Sequence, residues 1–423
     1  MSAVQQVALA HEGKVLVTDA GLLPEQELGE DDSDDGYRLA LELVGADVFL
    51  APVVRLAARR YLAVVGCRAL PLPPGRWVPL AELSGQVGEV GEVVARCVRE
   101  HEVDPPALRP AWFRPGWYDA VEAWVDAALD RAGRRRTGVM RLVRTWSLST
   151  VLRIPTSDGE LWFKAPCDLF RAEGAIHRAI GRHFPDDVPV LVAVDEERGW
   201  LLMEEMGGAT EGSRAEGAGP ALATRWAEVQ IASLRMLDDL RAAGGLVRDA
   251  EVMVRDFRTV LDAATDLPGL APDELVAILD VADEAAAMVR ELWACGIPDT
   301  LAHGDLHVGN VAWDGTALRV YDLTDACISH PFLDGCHLAL FDDRHPPDHE
   351  LIDAFVAPWR AAFPHARVDD AIRLAPVADL VFQADTFDRI RRATEPASAY
   401  ELGTLLPWLL GRLPAAVAAA RRT

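Results

Sequence analysis

The chain has 423 residues, half of them hydrophobic, and a formal net charge of −24. That balance supplies a sizeable core and excludes general nucleic-acid binding, which needs a basic footprint. No apolar run is long enough to span a membrane, Met1–Ala10 lacks the layout of a secretion signal, and six cysteines without CxxC spacing fit reduced thiols, so a cytoplasmic location is expected.

The acidic excess has two readings. It solubilises the chain, and it favours a cationic small-molecule partner. The length suits two domains or three.

Residues 1–106 read as one unit. Short apolar runs at Gln6–Ala10, Lys14–Thr18, Ala46–Leu50 and Tyr61–Val65 predict strands. The acidic stretch Glu27–Asp35 predicts a loop, Trp77–Leu83 closes the strand region, and Ser84–Glu100 can hold a helix. This pattern resembles a degenerate Nudix domain. The acidic metal-binding helix of that family is missing from Ala40-Leu41-Glu42-Leu43-Val44-Gly45, so the resemblance implies the fold and not the activity.

Prolines and glycine mark residues 104–116 as a linker. Val121, Trp124, Val125, Ala128 and Leu129 then sit at helical spacing and predict a helix over Tyr118–Arg131. Strands are expected at Met140–Thr145, Thr150–Pro155 and Glu160–Ala165, with Thr156-Ser157-Asp158-Gly159 as a hairpin turn. A helix over Phe170–His183 and strands at Leu191–Asp195 and Trp200–Glu204 follow, ended by Gly207-Gly208. Beyond the small-residue stretch Glu211–Gly219 the chain turns helical, at Arg225–Leu240, Glu251–Leu261 and Pro272–Cys295. The predicted fold is α+β and two-lobed: a cap at 1–106, a small β-rich lobe at 107–206 and a helical lobe at 207–423.

Asn310 is the chain's one asparagine, and Lys14 and Lys164 are its two lysines among 42 basic residues. A GC-rich genome disfavours the codons of both. Against that pressure, a retained Asn or Lys marks a place where Asp or Arg does not serve. Asn310 follows Asp305 by five positions in His303-Gly304-Asp305-Leu306-His307-Val308-Gly309-Asn310, and Asp322 follows after a predicted hairpin. Phosphoryl transfer needs positioning, charge neutralisation and an acceptor for a hydroxyl proton. Asp305 can accept that proton. Asn310 offers a neutral hard ligand for Mg²⁺, and a hairpin of Val311–Trp313 with Leu318–Tyr321 would bring Asp322 beside it. His303 and His307 have the i, i+4 spacing of a zinc helix, but Gly304 and Gly309 argue for a loop.

These residues, with Tyr321-Asp322-Leu323-Thr324-Asp325-Ala326 and His330-Pro331-Phe332-Leu333-Asp334, resemble the aminoglycoside phosphotransferase family, related to choline kinases and protein kinases. The resemblance covers residues 107 onward and implies a protein-kinase-like fold. It implies Asp305 as catalytic base, Asn310 and Asp322 as magnesium ligands, and Asp334 as a buried anchor of the catalytic loop. Leu323 departs from the Trp or Phe usual after the metal aspartate. By the same resemblance Lys164 meets the α- and β-phosphates of ATP and Glu173 orients it. Ser147 and Ser149 stand in the phosphate loop, which has no glycine, and backbone groups at Glu204–Met206 pair with adenine.

The expected activity is ATP- and Mg²⁺-dependent phosphorylation of a hydroxyl on an amino sugar, aminoglycoside, sugar or amino alcohol. Acceptor-site candidates are Asp325, Asp342, Asp343, Asp379, Gln383, Asp385, Asp388 and Trp408. The alternative, suggested by the glycine-free loop, is a nucleotide-binding regulatory module without turnover. A hydrolase in residues 1–106 lacks its acidic motif, and a protein kinase would carry an Ala-Pro-Glu that is absent here.

Overall fold

The computed structural model describes residues 3–28, 48–57, 60–67, 72, 74–102, 105–114, 116–206, 218–313, 317–340, 348–395 and 402–421. The chain divides into two compact units. One comprises Met1–Leu169, Trp200–Met203 and Ala393–Glu401, the other Phe170–Gly199, Glu204–Arg392 and Leu402–Thr423.

The first unit opens with strands β1 (Ala3–His11), β2 (Lys14–Val17), β3 (Glu25–Leu28), β4 (Val48–Ala57), β5 (Arg60–Cys67) and β6 (Arg76–Pro79). They form one sheet in the order β4-β5-β1-β2-β6, with β3 also on β1. β1 and β5 run parallel from Val4↔Arg60 to Ala10↔Gly66. Alternate residues Ala8, Leu62 and Val64 pack with Val78, Leu83, Val94 and Val98, so one sheet face is covered by the helices Leu80–Val87 and Glu89–Glu102. Four strands fall where the apolar runs predict them. Glu27 and Leu28 belong to β3 rather than to a loop, because β3 pairs with β1 over Ala3↔Leu28 to Gln6↔Glu25. Ala40–Gly45, where the Nudix comparison turned, lies outside the described residues.

The helix Trp117–Arg131 precedes strands β7 (Arg141–Thr145), β8 (Ser149–Thr156) and β9 (Gly159–Pro166). The predicted turn joins β8 to β9, where Thr156 Oγ1 donates to the Gly159 carbonyl at 2.8 Å. After β10 (Leu191–Asp195), β11 (Trp200–Glu204) lies beside β9, giving the order β11-β9-β8-β7. Trp117 and Trp124, two turns apart on one helix face, both meet Phe163 of β9 and Trp200 of β11 edge-on, with centroids 5.7 to 6.1 Å apart.

One buried ion pair reaches across this unit. Arg109 lies in the predicted linker, yet its guanidinium is 2% exposed and grips Glu395 through two nitrogens at 2.7 and 3.0 Å. A third contact at 3.0 Å reaches Glu100 near the end of the helix Glu89–Glu102. The fork geometry satisfies both carboxylate oxygens of Glu395.

The second unit is mostly helical, with helices Glu173–His183, Ala218–Ser233, Leu237–Ala242, Ala250–Ala263, Pro272–Trp293, Phe332–Leu340, His349–Ala362, Val368–Ala393 and Leu405–Ala420. They share one core whose largest wholly buried side chains include Trp226, Phe257, Trp359 and Phe382. Short strands β12 (Leu246–Arg248), β13 (Thr300–Ala302), β14 (Val311–Trp313), β15 (Leu318–Val320) and β16 (Cys327–Ser329) interrupt the helices. β14 and β15 form the predicted hairpin. The sheet β12-β16-β13 was not anticipated, because strands of three residues are too short for alternation to show.

The fold class is therefore the expected one: strands first, helices after, with an additional β-rich region at the N-terminus. The Arg109–Glu395 pair yields a stability test. Arg109→Ala removes the buried guanidinium that Glu395 and Glu100 share, and breaking a buried ion pair costs about 3–5 kcal/mol. Thermal unfolding followed by tryptophan fluorescence should show an earlier transition, and an unchanged melting temperature would mean the pair contributes nothing.

Candidate active site

The site residues of the second unit gather on the loops around β13, β14 and β15. Asp305 follows β13, and Asn310 ends a short 3-10 turn, Val308–Asn310, before β14. Asn310 Nδ2 donates to the Asp305 carbonyl at 2.9 Å and lies 3.4 Å from Asp305 Oδ2. With the amide nitrogen so used, the amide oxygen is the atom left for a cation. The β14–β15 ladder pairs Val311 with Val320, and the Tyr321 N–H donates to the Asn310 carbonyl at 3.0 Å. Asp322 is the next residue, one position beyond that hydrogen bond.

Asp322 adopts a left-handed backbone conformation, φ 62° and ψ 60°. A non-glycine residue at positive φ is uncommon, and such strain gathers at functional sites. Thr324 Oγ1 donates to Asp322 Oδ1 at 2.9 Å and fixes the carboxylate. An amide oxygen and a carboxylate are hard donors that suit Mg²⁺, which is held by one or two protein carboxylates together with substrate phosphates. Among the described residues no group of three or more His, Cys, Asp or Glu is arranged to hold a metal.

Asp334 organises the loop from below. Its side chain is buried and accepts four hydrogen bonds: from the His303 N–H at 2.7 Å, the Gly304 N–H at 3.0 Å, Trp226 Nε1 at 2.7 Å and Gln230 Nε2 at 2.9 Å. His303 braces the loop from another side, its Nε2 lying 3.0 Å from the Tyr321 carbonyl. Gly304 has φ +85°, and a Cβ there would sit 2.7 Å from the Asp325 carbonyl oxygen. Only glycine fits this position.

Asp305 itself is 40% exposed. Its Oδ1 lies 3.1 Å from Nε2 of His337, and its Oδ2 lies 3.8 Å from Nε2 of His307. Burial pushes the Asp305 carboxyl upward, but the His337 hydrogen bond and the charges of His337, His307 and His303 outweigh it and hold the group below the usual carboxylate range. Asp325 behaves oppositely. Burial, then repulsion by Asp305 and Asp322, pushes it up to about 7.

The other predicted residues stand as follows. Lys164 is buried on β9 opposite Val151, in the first unit. Glu173 is buried at the start of the Glu173–His183 helix, in the second. Ser147 sits in the tight β7–β8 connection and Ser149 opens β8, and both are buried. Ser149 Oγ accepts from Trp146 Nε1 at 2.9 Å, and Trp112 Nε1 donates to the Trp146 carbonyl at 3.0 Å, so indole rings brace this glycine-free loop. The Glu204 N–H donates to the Val190 carbonyl at 2.9 Å, and the Met206 carbonyl accepts from Arg319 at 2.9 Å. Two backbone groups of the expected adenine hinge thus already have protein partners.

Several acceptor-site candidates have internal partners. Asp385 pairs with buried Arg248 at 2.8 Å, Asp388 with Arg391 and Arg392 at 2.7 Å, and Gln383 donates to the Gly304 carbonyl at 2.8 Å. Asp379 faces His337 at 3.5 Å. Trp408 is 44% exposed, and Asp342 and Asp343 lie outside the described residues. Sequence reasoning missed His337, Trp226 and Gln230. The available signal was a histidine in the helix Phe332–Leu340, whose one other charged or polar side chain is Asp334, three residues before it.

The sequence pattern of the phosphotransferase enzyme family matches residues 139–370, more than half of the chain. Solved structures similar to it include a choline/ethanolamine kinase family protein from Mesorhizobium loti, 18% identical, covering 72% of this chain and 99% of that one with a TM-score of 0.48. A spectinomycin phosphotransferase in complex with ADP and spectinomycin is 10% identical, covering 70% of this chain and 98% of that one, TM-score 0.49. A type I macrolide 2'-phosphotransferase is 17% identical, covering 71% and 96%, TM-score 0.46. No curated protein matches the chain.

Gly304→Ala should act in two ways. Left-handed strain costs about 1–2 kcal/mol, and the clash with Asp325 must displace the loop carrying Asp305. A lowered melting temperature together with lost turnover is expected. Full activity in that variant would contradict the geometry described here.

Proposed function

Because the chain belongs to the phosphotransferase enzyme family, we propose that it transfers the γ-phosphoryl group of ATP to a hydroxyl of a small molecule. The acceptor classes are amino sugars, aminoglycosides, neutral sugars and amino alcohols. The observation that supports this most is the arrangement of Asp305, Asn310 and Asp322 on one loop and one hairpin.

In this reading Asp305 takes the proton of the acceptor hydroxyl. The acceptor oxygen forms its bond to the γ-phosphorus as the bond to the β–γ bridging oxygen breaks, and ADP leaves. Asn310 and Asp322 would hold Mg²⁺, which neutralises charge on the phosphates when bound. Lys164 meets the α- and β-phosphates, Glu173 orients it, Ser147 and Ser149 face the phosphates, and Glu204–Met206 receive adenine. Residues 1–106 are an added cap, and the enzyme works in the cytoplasm.

A second reading has one observation in its favour. The Ser149 hydroxyl already accepts from Trp146 in a loop without glycine, which suits a nucleotide-binding module that does not turn over. ADP release from MgATP separates the two. Stimulation by one acceptor class of a panel supports the kinase, and bound ATP with no stimulation by any supports the module.

Two substitutions sharpen the assignment. Asp305→Asn should lower kcat by about 10²–10⁴-fold, the usual worth of a positioned base, with ATP affinity nearly unchanged. Loss of ATP binding instead would make Asp305 structural. Asp322→Ala should abolish magnesium-dependent nucleotide binding in calorimetry, and an unchanged magnesium response would remove it from the ligand set.

A further inference from the structure

We propose that His337 is a positioning residue for Asp305: an imidazolium held between two carboxylates, which fixes one oxygen of Asp305 and leaves the other for the acceptor hydroxyl. This rests on the reading of Asp305 as the base.

The geometry begins with burial. The His337 side chain is 5% exposed, on the helix Phe332–Leu340. Its Nε2 meets Asp305 Oδ1 at 3.1 Å, and its Nδ1 faces Asp379 Oδ2 at 3.5 Å. A neutral imidazole donates through only one nitrogen, so carboxylates on both sides select the doubly protonated ring. Burial alone would drive the proton off. The charge of Asp379, then the hydrogen bond to Asp305, win, and the ring pKa is raised to about 10. A ring charged in this way donates to Asp305 throughout the physiological range.

The surroundings leave the ring little freedom. Gln383 Nε2 donates to the Gly304 carbonyl at 2.8 Å and, being a donor itself, makes no hydrogen bond to a protonated Nδ1 3.4 Å away, which leaves Asp379 as the acceptor on that side. Gln383 and Asp379 are one turn apart on the Val368–Ala393 helix, so one helix face holds both the ring and the loop backbone next to Asp305. Asp334, three residues before His337, holds the same backbone through the His303 and Gly304 N–H groups. The loop and the side chain of Asp305 are thus fixed from one helix. Asp305 Oδ2, beside Asn310 Nδ2 at 3.4 Å, is the oxygen on which a proton can be accepted.

This arrangement makes two functional statements. Catalysis needs the carboxylate plane held in a narrow range, because misplacement costs rate steeply. The charge of His337 also favours the ionised form of Asp305.

The test is a double-mutant cycle on the full chain, reading ADP release from MgATP with water as acceptor and enzyme in excess. His337→Leu should slow release by about 10- to 100-fold, the usual effect of losing an outer-shell partner, with the KM for MgATP unchanged. His337→Gln, whose amide can donate to Oδ1, should recover part of the loss. In an Asp305→Asn background neither replacement should slow release further, since groups that act as a unit are not additive. Equal slowing in both backgrounds would assign His337 a purely structural role and overturn the proposal. An Asp305→Asn enzyme as fast as the parent would remove the base, and the proposal with it. Independently of turnover, the ring-nitrogen shifts of His337 at about pH 8, above the ordinary histidine range, should report a doubly protonated ring. A neutral ring at that pH would overturn the clamp.

Discussion

The loop that carries Asp305 hangs on the carboxylate of Asp334. Four donors converge on it: two backbone N–H groups of the loop and two side chains from the Ala218–Ser233 helix. Each would be costly to leave unpaired in so buried a place. Because the donors come from a helix and a loop far apart in sequence, satisfying them fixes the loop against the core. The left-handed turn at Gly304 follows from that fixation, and so does the direction in which Asp305 leaves the backbone. Asp334 is thus inert chemically and decisive geometrically.

Charge is managed inside the site. Asp305, Asp322 and Asp325 crowd together, and the strain shows in opposite responses. Asp305 stays ionised under the influence of three histidines, while Asp325 is pushed up to about 7 by burial and its neighbours. Two carboxylates in similar positions acquire different protonation through their surroundings. Away from this cluster, Asp385 and Asp388 are spent on arginines. The acidic excess of the chain is therefore not a simple measure of how strongly the site attracts a cation.

The first unit depends on long-range pairing of a different kind. Arg109 and Glu395 are far apart in sequence, and their ion pair closes a loop through most of the chain. The indole hydrogen bonds Trp112–Trp146 and Trp146–Ser149 then carry support from the linker into the β7–β8 connection. The β7–β8 connection contains no glycine and is held by these indole hydrogen bonds.

The sequence by itself determined what lies within short reach. Asp305 and Asn310 share one turn of chain, Asp322 directly follows a short hairpin, and Thr156–Gly159 carries its own turn chemistry, so spacing alone implies proximity. The same holds for the helix Trp117–Arg131 and its apolar stripe. The tertiary structure alone decided that Asp385 is consumed by an ion pair, since Arg248 reaches it only through packing, whereas Asp388 meets Arg391 and Arg392 at the i,i+3 and i,i+4 spacing of one helix. It also decided the role of His337. A histidine in an apolar helix reads as core until packing sets Asp305 on one side and Asp379 on the other. Linear spacing encodes local geometry, whereas the charge state of a buried ring depends on neighbours that only the fold assembles.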